Sequence, residues 1–109
     1  MTIQFDKNTN LVPVVIQDYL NLKVLMLGYM NQEAFDKTLQ EKRVTFFSRS
    51  QNRIWTKGET SGNYLELMDW QLDCDSDTIL IKAKPLGPTC HNGTTTCFAE
   101  ESNKGFLSV

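Results

Sequence analysis

Short runs of alternating apolar and polar positions, cut by Asn, Asp, Gly and Pro, dominate this chain and predict strands more than helices. Residues 11–19 and 23–29 are rich in Val, Leu, Ile and Tyr and flank Leu20-Asn21-Leu22, which reads as a hairpin. Residues 44–50 and 53–57 form a second predicted strand pair around Gln51-Asn52, and residues 64–72 and 78–84 a third. In the last strand Ile79, Ile81 and Ala83 alternate with Leu80, Lys82 and Lys84, the signature of a sheet with one drier face. Pro85-Leu86-Gly87-Pro88 then breaks it. One segment reads as a helix: Asn31 caps residues 32–43, with acids early, bases late, and Phe35 and Leu39 on one face. The pattern predicts an α+β fold, mostly antiparallel sheet with one main helix near residues 31–43.

Composition narrows the class. A chain of 109 residues makes one domain, and eleven basic against thirteen acidic residues leave a net charge of -2. No basic field exists to gather a nucleic-acid backbone, so phosphate recognition would be local. The start Met1-Thr2-Ile3-Gln4-Phe5-Asp6 lacks a signal peptide's basic and apolar regions, and no apolar run reaches membrane-spanning length. A cytoplasmic protein is expected. The tail at 99–109 is polar and weakly patterned, a frayed end or the start of a linker to a second domain.

Candidate chemistry concentrates in Asp73-Cys74-Asp75-Ser76-Asp77, where three carboxylates alternate around a thiol. In an extended segment the aspartates would share one face and Cys74 the other. Oxygen ligands suit Mg2+, Ca2+ or Mn2+, whereas a thiolate suits zinc. An EF-hand is excluded, because its sixth and twelfth positions hold Thr78 and Lys84. The plain alternative is a solvated hairpin tip whose aspartates bond their own backbone. The other two cysteines, Cys90 and Cys97, flank the single histidine, His91. Three thiolates spaced C-x15-C-x6-C leave a fourth zinc position open unless His91 fills it. Adjacent residues seldom chelate one ion, so His91 is better cast as a proton carrier beside the metal.

Upstream, Phe46-Phe47-Ser48-Arg49-Ser50 and residues 55–63 mix an aromatic, two cations, hydroxyls and two glycines. Arg49 and Lys57 could neutralise a phosphate, glycine backbone could approach it, and Trp55 could stack on a base. A glycine turn with solvated charges and a core Trp would look the same.

Taken together, Phe47-Ser48-Arg49-Ser50, Trp55-x-Lys57-Gly58-Glu59-x-Ser61-Gly62-Asn63, Asp73-Cys74-Asp75-x-Asp77 and Gly87-Pro88-x-Cys90-His91-x-Gly93-x-x-x-Cys97-Phe98 resemble phosphoribosyl-AMP cyclohydrolase. The similarity runs from about Leu11 to Phe98, and its departures are mild: Gln51 where a basic residue is common, Ile54 for Leu, Asn92 for Thr and Thr96 for Ser. The resemblance implies a domain at 1–98 acting in the third step of histidine biosynthesis. There zinc-activated water opens the adenine ring of phosphoribosyl-AMP between N1 and C6. It also implies zinc on Cys74, Cys90 and Cys97, Mg2+ on Asp73, Asp75 and Asp77, and His91 in catalysis. Arg49, Ser50, Trp55, Lys57, Glu59 and Ser61 would meet the nucleotide. The family works as an obligate homodimer with active sites at the subunit interface, Cys74 crossing to the partner.

Two other readings compete. A small zinc-stabilised binding module explains the cysteines but neither the aspartates nor residues 55–63. A zinc nucleobase deaminase would also attack C6 of adenine, but its H-x-E and P-C-x-x-C elements are missing.

Overall fold

All three expected hairpins form. A computed structural model describes residues 2–105. Strands β1 (Val12–Asp18) and β2 (Val24–Met30) are followed by helix α1 (Gln32–Glu41), β3 (Thr45–Ser48), β4 (Arg53–Thr56), β5 (Leu65–Leu72) and β6 (Ile79–Pro85). The pairs β1–β2, β3–β4 and β5–β6 are antiparallel. A parallel contact between β1 and β6, in which Val14 faces Ile79 and Ile16 faces Ile81, fuses two hairpins into a four-stranded sheet of order β2-β1-β6-β5. The β3–β4 ribbon stands apart as a two-stranded sheet. The fold is therefore α+β and mostly antiparallel, with one parallel seam that hairpin signals do not reveal.

Alternation sets the core. Val12, Val14 and Ile16 of β1 and Ile79, Ile81 and Ala83 of β6 are buried on one face. They pack with Leu25, Met30, Ala34, Phe35, Val44, Phe46 and Leu65. Gly28 of β2 admits the Phe46 ring, which occupies the space a side chain would fill. The opposite face keeps Leu27, Val15 and Leu80 in one cross-strand row, and Leu27 is 47% exposed.

Helix α1 begins as the sequence predicts, with Asn31 Oδ1 accepting from the Ala34 N–H at 2.8 Å. It ends sooner. Lys42 caps it in the left-handed region at φ 63°, and Arg43 lies beyond, bridging Glu66. The basic last turn expected from Lys42 and Arg43 is thus absent. Buried Thr38 ties the helix to the ribbon: its Oγ1 accepts from the Thr45 N–H at 2.9 Å and donates to the Ala34 carbonyl at 2.8 Å. Residues 42–44 join the ribbon to the main sheet, with the Val44 N–H donating to the Leu65 carbonyl and the Leu67 N–H to the Lys42 carbonyl, both at 2.9 Å.

Among the described residues no helix is long and apolar enough to cross a membrane. The tail expected at 99–109 lies partly outside the described residues; within them it holds one 3-10 turn, Glu101–Asn103.

Candidate active site

Two clefts meet beside the β3–β4 ribbon. The first, of about 410 Å³, lies over the end of β4 and the turn that follows, and Trp55, Lys57, Glu59 and Ser61 all line it. The turn is shaped by Gly58 at φ 92°, where a Cβ would lie 2.5 Å from the backbone of Asn63 and Tyr64. The Glu59 N–H donates to the Thr56 carbonyl at 3.0 Å and the Gly62 N–H to the Gly58 carbonyl at 2.7 Å, closing the loop on itself. Thr56 is anchored below by a 2.9 Å hydroxyl pair with Thr45. The second cleft, of about 260 Å³, is bounded by Asn63, Thr89, Cys90 and His91. Lys57 and Ser61 line both.

The structure divides the expected nucleotide-binding residues. Trp55, Lys57, Glu59 and Ser61 come together, but Arg49 and Ser50 do not line either cleft. The Arg49 guanidinium instead stacks over the Tyr29 ring at 4.3 Å, and Ser50 Oγ sits 3.3 Å from Ser48 Oγ. Arg53 lines the cleft although its sequence context gave it no site role, and Ser48 and Gln51, noted in the sequence only within or beside a motif, line it too. Arg53 gave no signal because a charge at the start of a strand looks like a solvated surface residue. Its bond to Glu59, at 3.2 Å, appears only once β4 and the glycine turn are folded together.

Cys90 and Cys97 sit on a loop laid against β2. The Cys97 N–H donates to the Leu25 carbonyl at 2.8 Å and Thr96 Oγ1 to the Val24 carbonyl at 2.7 Å, while Gly93 at φ 88° turns the chain back. The two thiols are near enough to influence each other's protonation. The Cys90 thiol is held below its usual value, first by the Asn92 backbone N–H and then by the Thr94 side chain, with Lys57 adding a smaller pull. Cys97 is pushed up, chiefly by partial desolvation of its sulfur and then by the charge of Cys90, although the residue as a whole is exposed. Beside this pair Thr89 is 1% exposed, and its Oγ1 is the one buried side-chain polar atom without a partner among the described residues. Two cysteines on one loop, one of them favouring the thiolate, are donors of the type zinc takes.

The acidic segment is not extended, which overturns the alternation argument for it. Residues 73–78 make the β5–β6 turn, with Ser76 in the left-handed region at φ 65°. Asp73 Oδ1 accepts from the Asp77 and Thr78 N–H groups at 3.1 and 3.2 Å, so the aspartate does bond its own backbone. Even so, one carboxylate oxygen from each of Asp73, Asp75 and Asp77 lies within 4.8 Å of the others. Adjacent oxygens on an octahedral Mg2+ stand about 3.0 Å apart, so side-chain rotation that draws the three carboxylates together would let them share one ion. This is the sole cluster of three or more such ligands among the described residues. The three sulfurs therefore do not converge within one chain, and Cys74 stands exposed on the turn.

A sequence model of the phosphoribosyl-AMP cyclohydrolase family matches residues 26–99. The chain belongs to this family. It is 61% identical over 98 residues to the histidine biosynthesis bifunctional protein HisIE of Pasteurella multocida, covering 90% of this chain and 49% of that protein. The Bacteroides thetaiotaomicron protein of the same name is 56% identical over 104 residues, covering 95% and 51%. The Escherichia coli K12 one is 52% identical over 102 residues, covering 94% and 50%. The chain spans about half the length of the curated relatives it matches. Both clefts, the acidic turn and the cysteine loop fall inside the segment that the cyclohydrolase family matches.

Proposed function

We propose that this chain hydrolyses the N1–C6 bond of the adenine ring of 1-(5-phosphoribosyl)-AMP, yielding the phosphoribosylformimino-aminoimidazole carboxamide ribotide of the third step of histidine biosynthesis. One observation carries the reading: Lys57 and Ser61 line both clefts, so one ligand can rest against Trp55 and still reach Cys90 and His91. Residues 1–98 form the catalytic domain, and its place is the cytoplasm, where thiols stay reduced.

Cys90, Cys97 and Cys74 would hold zinc, and Asp73, Asp75 and Asp77 would hold Mg2+. When bound, zinc supplies Lewis acidity that makes a water acidic enough to react near neutral pH. His91 takes a proton from the attacking water, whose oxygen becomes bonded to C6. As C6–N1 breaks, one proton ends on N1 and the other on the exocyclic nitrogen, leaving a carboxamide. Trp55 stacks on the base, Lys57 and Ser61 hold polar groups of the ribotide, and Arg49 and Ser50 act from outside the lining of the clefts. Glu59, drawn towards Arg53, is available to ribose hydroxyls.

Because the sulfurs do not converge within one chain, the working unit is a homodimer in which the partner's thiol completes the zinc site. The half-exposed apolar row Leu27, Val15 and Leu80, which ends on β6, the strand that leaves the turn carrying Cys74, offers a surface for the second copy. Purified protein incubated with phosphoribosyl-AMP, Zn2+ and Mg2+ should open the ring, followed by ultraviolet absorbance, and should elute as a dimer. Absence of turnover in that mixture would sink the proposal.

A further inference from the structure

We propose that Arg53 is the principal contact for a phosphate monoester group in the 410 Å³ cleft, an assignment that rests on the nucleotide reading above. The guanidinium is already oriented by three acceptors. Its Nε donates to Gln51 Oε1 at 3.2 Å, Nη1 to the Ile54 carbonyl at 3.1 Å and Nη2 to Glu59 Oε1 at 3.2 Å. A guanidinium carries five N–H groups, so one remains on each terminal nitrogen, enough to donate to two oxygens of a phosphate.

The surroundings agree. The cleft's charged residues are Arg53, Lys57 and Glu59, a local balance of +1 on a chain of net charge -2. Hydroxyls of Ser48, Thr60 and Ser61 stand on its walls to complete the oxygen shell. Glu59 draws the guanidinium across the cleft, so the cation need not be ordered anew when the anion arrives. Arg49, one of the two cations the sequence favoured, is occupied with Tyr29.

Calorimetric titration with AMP and with adenosine isolates the phosphate. The parent should bind AMP more tightly than adenosine, and Arg53→Ala should remove that preference while Arg53→Lys restores part of it. In turnover assays Arg53→Ala should raise KM for phosphoribosyl-AMP by about tenfold or more, with kcat changed far less. Lys7→Ala, which removes one positive charge outside the cleft, controls for net charge and should change neither. In a Glu59→Gln background Arg53→Ala should still abolish the preference; an effect that vanishes there makes Arg53 a support for Glu59 and overturns the assignment. A parent without preference for AMP, or an Arg53→Ala variant that keeps it, also overturns it. If the parent shows the Arg53-dependent preference but no ring opening, the reaction fails and the phosphate contact stands. Ring opening with KM unchanged in Arg53→Ala gives the reverse.

Discussion

Gly28→Ala tests how tightly the core supports the active-site ribbon. A Cβ built on Gly28 would lie 2.5 Å from Phe46 Cδ1 and 2.6 Å from Cε1. Carbon pairs rest at about 3.5–4.0 Å, so the ring must retreat by roughly 1 Å. It has little room, since Phe46 is 1% exposed and the Trp55 ring lies 5.5 Å away, centroid to centroid. Overpacking of this kind costs about 1–3 kcal/mol. Replacing glycine restricts the unfolded chain and returns about 0.4–1 kcal/mol. The net expectation is a loss of about 1–2 kcal/mol, or roughly 5–15 °C in Tm for a domain of this size. Thermal unfolding followed by circular dichroism measures it. In a Phe46→Leu background the added methyl finds space, and the cost of Gly28→Ala should fall by about 1 kcal/mol or more. A Gly28→Ala protein as stable as the parent, or an equal cost in both backgrounds, would refute the argument. Because Trp55 backs the ring and lines the cleft, ligand affinity should fall with stability.

Thr38→Val leaves the buried Thr45 N–H without its acceptor and should cost about 1–3 kcal/mol by urea denaturation, more than the same change at exposed Thr60. Cys90→Ala should lose bound zinc and turnover together, whereas His91→Ala should keep zinc, assayed by metal analysis, and lose rate; zinc loss from the latter would make His91 a ligand. Asp75→Asn should raise the Mg2+ concentration needed for half-maximal activity, and an unchanged titration would remove Asp75 from that site. The Asp6 carboxyl is held below the usual range by the Asn8 and then the Thr9 backbone N–H. Its contribution is therefore present above the ordinary carboxylate pKa and lost as pH falls through the lowered one. Asp6→Asn should be less stable than the parent at neutral pH, with the difference shrinking in acid; a difference constant with pH would exclude this linkage.

Much of the fold could be read from local signals. Period-two burial in β1 and β6 follows from Val12, Val14, Ile16 and from Ile79, Ile81, Ala83, because burial on one face needs no knowledge of the partner strand. The parallel β1–β6 seam could not be read this way, since parallel pairing leaves no turn in the sequence. Helix α1 stopped early because Lys42 adopts the left-handed cap, a backbone choice that its charge does not signal. The aspartates were correctly grouped for the wrong reason: a left-handed Ser76 and the Asp73 backbone bonds gather them, not a pleat. Arg53 went unseen because its importance lies in what Gln51, Ile54 and Glu59 do to its orientation.

The β1–β6 seam also bears on how the protein is made. During translation Val14 leaves the ribosome well before Ile79, its partner across the seam, and at about 5–20 residues per second that delay lasts several seconds. Throughout it the β1–β2 hairpin exposes an open strand edge and the apolar row Val12, Val14 and Ile16. The nascent chain is thus most vulnerable to sticking to its neighbours until β6 emerges.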